Sequence, residues 1–185
     1  APPKGADPTH MIQMAKTLKG RVHAVNITDG SRAVLRMSPL VASIILKNHG
    51  LEPICQVACR DRNRIALQAD LMGASALGLH NILALTGDPV KAGDHEKARS
   101  VFDMESIRLL QMIAKLNQGM DWNEKTLPDG PTDLFVGAAV DPQSPSWSGL
   151  KRRFELKLLA GSQFFQSQTL FSMPNAIMFF FRQTF

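Results

Sequence analysis

The sequence predicts an α/β fold built on parallel strands, and three observations carry that reading. Short apolar runs alternate with longer amphipathic stretches along the chain. The run Ile82-Leu83-Ala84-Leu85 shows no polar alternation, as expected of a strand covered by helices on both faces. It ends in Thr86-Gly87-Asp88-Pro89, where Gly87 frees the backbone and Pro89 forbids further ladder bonding. Strands separated by helices of this length pair in parallel through right-handed crossovers. Asp88 thereby falls just past a strand's carboxyl end, where such folds keep their chemistry. A simple turn cap is the competing role for an aspartate at that place.

Residues 7–19 are predicted as a first helix, opened by Asp7 as N-cap with Pro8 in the first helical position. Residues 22–27 read as a strand, closed by the turn signal Thr28-Asp29-Gly30. Ser38-Pro39 opens a helix that runs to about Asn48 and stops at Gly50. Residues 53–58 form the second strand. Asp61 is expected to cap a long helix through Ala76, with Gly78 beyond it. The central strand spans residues 81–86, and the polar stretch 89–100 is expected as a loop over the site. A helix starting at Asp103 or Ser106 places Ile107, Leu110, Ile113, Ala114 and Leu116 mostly on one face. Residues 117–132 form an excursion, 134–140 a short apolar strand, and 141–149 a loop rich in Ser and Pro. A helix then runs to Ala160, Gly161 ends it, and residues 162–168 make the last strand. Pro174 opens a Phe-rich terminal helix.

This gives five strands and six helices in a single α/β domain over residues 1–185. A series that begins with a helix implies a strand before it, which would lie upstream of Ala1. Two architectures fit: a complete doubly wound sheet of five strands, or an incomplete (β/α)8 barrel. Barrels usually take ~250 residues and ~200 at the least, so length alone favours the first.

Composition is that of an ordinary globular domain, 44% hydrophobic and 20% charged, enough for a real core. No apolar run reaches the roughly 18 residues that span a bilayer, so no membrane is expected. The amino terminus shows no apolar signal-peptide core. Lacking an initiating Met, the chain is expected to be processed, trimmed or partial. Cys55 and Cys59 lie in an extended segment, too far apart for the ~4.4–6.8 Å Cα separation of a disulfide. They read as reduced, buried residues of a cytoplasmic protein. The histidines are scattered, and no metal is assigned. The net charge of +5 is dispersed apart from Lys151-Arg152-Arg153, and no aromatic platform accompanies that cluster. Nucleic acid is therefore not expected as a partner. An anionic small ligand, such as a nucleotide cofactor or a folate, suits the same excess.

Four stretches together resemble the methylenetetrahydrofolate reductase family. Ala1-Pro2-Pro3-Lys4 looks like the Pro-Pro after that family's first barrel strand. Cys59-Arg60-Asp61-Arg62-Asn63 resembles the segment after its third strand. Leu83-Ala84-Leu85-Thr86-Gly87-Asp88-Pro89 is similar to its most diagnostic motif. Ala160-Gly161-Ser162-Gln163-Phe164-Phe165-Gln166-Ser167-Gln168 resembles a later strand. The match covers about residues 1–172. It implies a partial (β/α)8 TIM barrel truncated at both ends, lacking strand one and the last strands.

The resemblance also implies a chemistry. A flavin, FAD, takes hydride from NADH or NADPH and passes it to 5,10-methylenetetrahydrofolate, giving 5-methyltetrahydrofolate. Asp88 matches the aspartate near flavin and pterin, and Gln168 the glutamine that contacts pterin and nicotinamide in turn. A buried strand-end role paired to backbone competes for Gln168. Leu85, Thr86 and Gly87 match the backbone cradle of the flavin, with Thr86 where some relatives carry arginine. Asn26 and Gln56 align with flavin-contact positions, Gln56 replacing a histidine. Phe102 and Asp103 match a loop where an aromatic ring packs against the cofactor. Lys157 aligns with a lysine near the pyrophosphate, although a solvated helix lysine fits equally.

The family's general-acid glutamate precedes its Pro-Pro, and nothing precedes Ala1 here. Opening the folate's five-membered ring requires a proton donor, and Glu52, Glu96 and Glu105 lie in segments not expected to reach the site. A fragment without that acid is expected to fail at folate turnover. Seven Phe lie at or after position 164: Phe164, Phe165, Phe171, Phe179, Phe180, Phe181 and Phe185. Together with open sheet edges, they lead to the expectation of a homo-oligomer or a partner subunit. Two other readings remain for the sequence: a non-catalytic flavin- or folate-binding module, and a folate-linked methyltransferase barrel.

Overall fold

A computed structural model describes residues 1–170. Its sheet holds five strands, β1 (Val25–Ile27), β2 (Pro53–Ala58), β3 (Asn81–Leu85), β4 (Phe135–Val140) and β5 (Phe164–Ser167). All neighbours pair in parallel, in the order β1-β2-β3-β4-β5. This order decides between the two architectures. A doubly wound sheet turns back on itself at a switch point, and this one never reverses. It is the sheet of a partial (β/α)8 barrel, and the doubly wound alternative falls.

Five helices connect the strands or flank them: α1 (Thr9–Lys16), α2 (Pro39–Asn48), α3 (Arg64–Ala76), α4 (Ser106–Asn117) and α5 (Trp147–Leu159). The sixth, expected from Pro174, lies outside the described residues. Two short 3₁₀ turns, Ser31–Ala33 and Val90–Ala92, occupy loops where none was expected.

Several boundaries differ from the sequence reading, each for a local reason. The first strand begins at Val25 rather than at residue 22, because pairing to β2 begins at Val25↔Pro53. Asn63, not Asp61, caps α3: its side-chain oxygen accepts from the amides of Ile65 and Ala66. Asp61 is engaged instead by the Arg60 guanidinium, at 2.8 and 2.6 Å. Helix α4 starts at Ser106 with Glu105 as cap, accepting from Ile107 and Arg108. At α1 the cap position is Pro8, and Asp7 sits one residue outside it, accepting from the Thr9 amide at 2.9 Å.

The main core lies between the outer sheet face and helices α3 and α4. Leu67, Leu71, Leu109, Leu110, Ile113 and Leu116 pack there on Ile82, Ala84 and Val136. Ile107 and Ala114, expected on the same stripe, are only half-buried, while Leu109 and Met112 complete it. A smaller cluster joins α1, α2 and β1 through Ala15, Ile27, Ala42 and Leu46. A third sits under α5, where the rings of Phe154 and Phe165 stack at 4.2 Å. Cys55 and Cys59 are buried free thiols, and burial pushes them up to about 11 and about 12. No helix among the described residues is long and apolar enough to cross a membrane.

Residues in register project to the same side of a sheet, so the pairs Gln56↔Leu83, Ala58↔Leu85 and Ala139↔Gln166 fix what the inner face presents. Toward the carboxyl ends that face carries one polar side chain each on β1, β2 and β5 (Asn26, Gln56 and Gln166) and only apolar ones, Leu83 and Leu85, on β3. At the amino ends of β4 and β5 it carries Phe135 stacked on Phe164 at 5.3 Å, with the Phe164 ring filling the space that Gly137 leaves open.

Candidate functional site

At the carboxyl ends of the strands the inner face opens into a cleft of about 480 Å³. Each strand contributes what its last inward residues and the following loop allow. Asn26 and Thr28 come from the end of β1, Gln56 from β2, and Leu85 with Thr86, Gly87 and Asp88 from β3 and its loop. Gln168 closes the other side, just past β5, where its backbone N–H donates to the Val140 carbonyl at 2.8 Å. Asp88 and Gln168 therefore line one cleft at one end of the sheet.

The local bonds show how these side chains are held. Asp88 is exposed, and its Oδ2 accepts from the Arg32 amide at 2.6 Å. Thr86 Oγ1 accepts from the Ser106 amide at 3.1 Å, which ties the end of β3 to the start of α4. Gly87 has φ +95, and a Cβ there would press on Arg60 and Ala58. Its close approach is thus first to the neighbouring strand end, and only glycine adopts that backbone freely. Gln56 Oε1 accepts from the Asp29 amide at 3.3 Å, leaving its NH₂ group for the cleft.

Two cleft atoms are orphaned. Asn26 Oδ1 and Thr28 Oγ1 are buried without any hydrogen-bond partner. Such groups are rare in native structures, and each costs about 1–3 kcal/mol when left unpaired. Both residues line the cleft, so a small side-chain rotation would turn either oxygen toward an N–H or O–H donor bound there. A planar heterocycle that carries an N–H donor beside carbonyl or ring-nitrogen acceptors matches the mixed polarity of Asn26, Thr28 and the Gln56 NH₂ group.

Three expected residues stand apart from the main cleft. Lys157 lines an adjoining hollow of about 210 Å³ with Arg153 and Phe154, and Gln168 and Ala139 border both spaces. Its ammonium donates to the Ala139 carbonyl at 2.6 Å, and burial beside Arg153 pushes its pKa down. Phe102 is partly exposed, with a left-handed φ of 41. Asp103 clamps the start of α3: its carboxylate accepts from the Arg64 amide at 2.9 Å and from the guanidinium at 2.8 and 2.7 Å. The Arg64 guanidinium holds that carboxyl well below the usual carboxylate range.

The sequence reading missed an ion-pair network beneath the cleft. Asp29, read there as a turn residue, is buried, and its Oδ2 accepts from the Ala58 amide at 2.8 Å and from Arg62 at 2.6 Å. Arg62 also reaches Asp70 at 2.9 Å. Arg60, 5% exposed, donates to the Gly30 carbonyl at 3.0 Å. The available signal was the burst Arg60-Asp61-Arg62 directly after a buried strand, where charge must find partners.

The family model described as methylenetetrahydrofolate reductase matches residues 1–184. The chain belongs to that family. Comparison with curated proteins finds no match. Membership of the methylenetetrahydrofolate reductase family points the chain to folate one-carbon reduction as a class of chemistry. The family's barrel architecture agrees with the unreversed strand order.

Proposed function

We propose that this chain carries the cofactor- and substrate-binding face of a flavin-dependent oxidoreductase that converts 5,10-methylenetetrahydrofolate to 5-methyltetrahydrofolate. The observation that carries the reading is the meeting of Asp88, Gln168, Asn26 and Thr28 around one cleft, with the Asn26 and Thr28 oxygens unpaired. Bound FAD would supply hydride transfer from NADH or NADPH to the folate. Asn26, Thr28 and the Gln56 amide would hold its ring, and Leu85 and Gly87 would form the bed beneath it. Lys157 and Arg153, in the hollow that continues past Gln168, suit the pyrophosphate of an extended dinucleotide. Phe102 and Asp103 belong to the loop expected to pack against the cofactor.

Asp88 places a negative charge at the cleft rim. Such a charge disfavours further negative charge beside it and favours a cationic iminium form of the folate. Gln168 offers both donors and an acceptor, which suits a position shared by two planar ligands in turn. The site is expected to work in the cytoplasm, and a second copy or a partner subunit to cover the edges of β1 and β5 that no strand among the described residues pairs.

The test is optical. Purified protein, as isolated or after incubation with FAD, should absorb between 350 and 500 nm and bleach when NADH or NADPH is added anaerobically. Asp88→Asn should retain the bound flavin and change its rate of re-oxidation by methylenetetrahydrofolate by roughly tenfold or more. A colourless protein that takes up no FAD overturns the proposal. Flavin binding without bleaching identifies a non-catalytic module instead.

A further inference from the structure

We propose that the β3–α4 loop clamps the β1–α2 loop at three points, and that this clamp sets the carboxylate of Asp88. The inference rests on the reading of Asp88 as a working group of the cleft. The first point is the bond from the Arg32 amide to Asp88 Oδ2, at 2.6 Å. The second is Gly93, whose α-carbon lies so close to the Ala33 carbonyl that a Cβ would fall inside its van der Waals shell. The third is Asp94, whose Oδ1 accepts from the Leu35 amide at 2.9 Å. These contacts run in order along both loops, 88 to 32, 93 to 33 and 94 to 35.

The clamp holds a backbone that would not hold itself. Arg32 and Ala33 are consecutive L-residues with φ of 58 and 54, in the left-handed region that side chains disfavour. Such conformations persist where the surroundings over-determine them, and they gather at functional sites. Here the left-handed turn aims the Arg32 amide at Asp88 and sets Arg32 on the cleft lining. Relaxed to an ordinary turn, the amide would leave the carboxylate. The clamp is in turn anchored to the amino-terminal segment. Lys4 donates to Asp94 Oδ2 at 2.6 Å, His95 Nδ1 lies 3.0 Å from Oδ1, and the Met37 amide donates to the Pro3 carbonyl at 2.9 Å. Gly93 and Asp94 are thus positioning residues, acting on the cleft through the Ser31–Ala33 turn.

Amide hydrogen exchange on the full chain, free of cofactor, tests the clamp. The Arg32 amide sits in an exposed turn, so protection there reports the Asp88 bond. It should exchange about tenfold or more slowly than an open amide, as a bond to a charged acceptor requires. Gly93→Ala and Asp88→Ala should each abolish that protection. Should Gly93→Ala not fold, Asp94→Ala removes the Leu35 and Lys4 contacts without adding bulk and carries the same measurement. In FAD-loaded protein, Gly93→Ala should then shift the flavin midpoint potential in the same direction as Asp88→Asn. It should add nothing in the Asp88→Asn background, which a merely structural change would not reproduce. An unprotected Arg32 amide in the native chain, or protection that survives Gly93→Ala, overturns the clamp. An unmoved potential in Asp88→Asn with the exchange result intact overturns the cofactor reading and leaves the clamp standing.

Discussion

Asp29 shows how a single buried residue of the cleft lining can hold the strand ends that shape it. Its carboxylate continues the β1–β2 ladder by accepting from the Ala58 amide, and it neutralises Arg62 in a buried setting. Removing one partner of a buried pair leaves an under-compensated charge, and Arg62 would keep the exposed Asp70 carboxylate and the Ala58 carbonyl. Asp29→Ala should therefore lower stability by about 3 kcal/mol, read as a drop in the urea midpoint. Two surface carboxyls act by titration instead. Lys4 holds Asp94 below the usual carboxylate range, with help from His95 and the Leu35 amide, and Arg64 does the same for Asp103. A carboxyl depressed in the folded state stabilises the fold above its unfolded pKa of about 3.9 and loses that contribution as pH falls through its folded value. Thermal melts from pH 6 down to pH 2 should thus show Tm falling below about pH 4, with a smaller fall in Arg64→Met, where one of the two pairs is gone.

At the scale of elements, caps and strand ends were legible in kind and not always in position. Ser38-Pro39 announced α2, and residues 53–58 were read as β2 without error, because an apolar run bounded by Pro and charge admits little else. Near α3 two residues of similar capping chemistry compete within three positions. Asn63 wins because the Arg60 guanidinium engages Asp61, a choice that only the fold makes. Asn63→Ala should accordingly cost about 1 kcal/mol, and Asp61→Ala clearly less, in paired denaturant melts. The Ser31–Ala33 turn was illegible for a different reason. It takes a left-handed path without glycine at Arg32 or Ala33, so no local preference signals it, and tertiary contacts impose it. The central motif was legible because Gly87 and Pro89 stop a strand by local chemistry alone, which fixed Asp88 at the strand's end. Asn26 and Gln168 were expected at the site through the family resemblance alone, and parallel pairing is what brings their strand ends to one cleft, whereas the Asp29–Arg62 pair depended on a register that no single segment encodes.

Across the whole molecule the apolar interior is divided unevenly. The largest cluster binds β2, β3 and β4 to α3 and α4, while α1 with β1 and α5 with β5 rest on smaller ones. Local openings follow buried contact, so the slowest-exchanging amides should be those of β3, β4 and α4. Amides of α1 and α5 should exchange faster by orders of magnitude in native-state hydrogen exchange. Slowest exchange in α1 would contradict this division of the core. The cleft then has a stable middle, Leu85 to Asp88, and flanks of lower stability that carry Asn26 and Gln168. Ligand binding across all three should slow exchange most at the flanks.

The unreversed order of the strands has a bearing on biogenesis. Among the described residues each strand after β1 bonds to the one synthesised just before it, so β2 to β5 each emerge to a mate already translated. The β1 wall can be in place while later codons are still being read, β3 then delivers Asp88, and Gln168 arrives last. Translation would raise the pocket from one bank to the other, and a nascent chain released before β5 would present a folded sheet with only one shore.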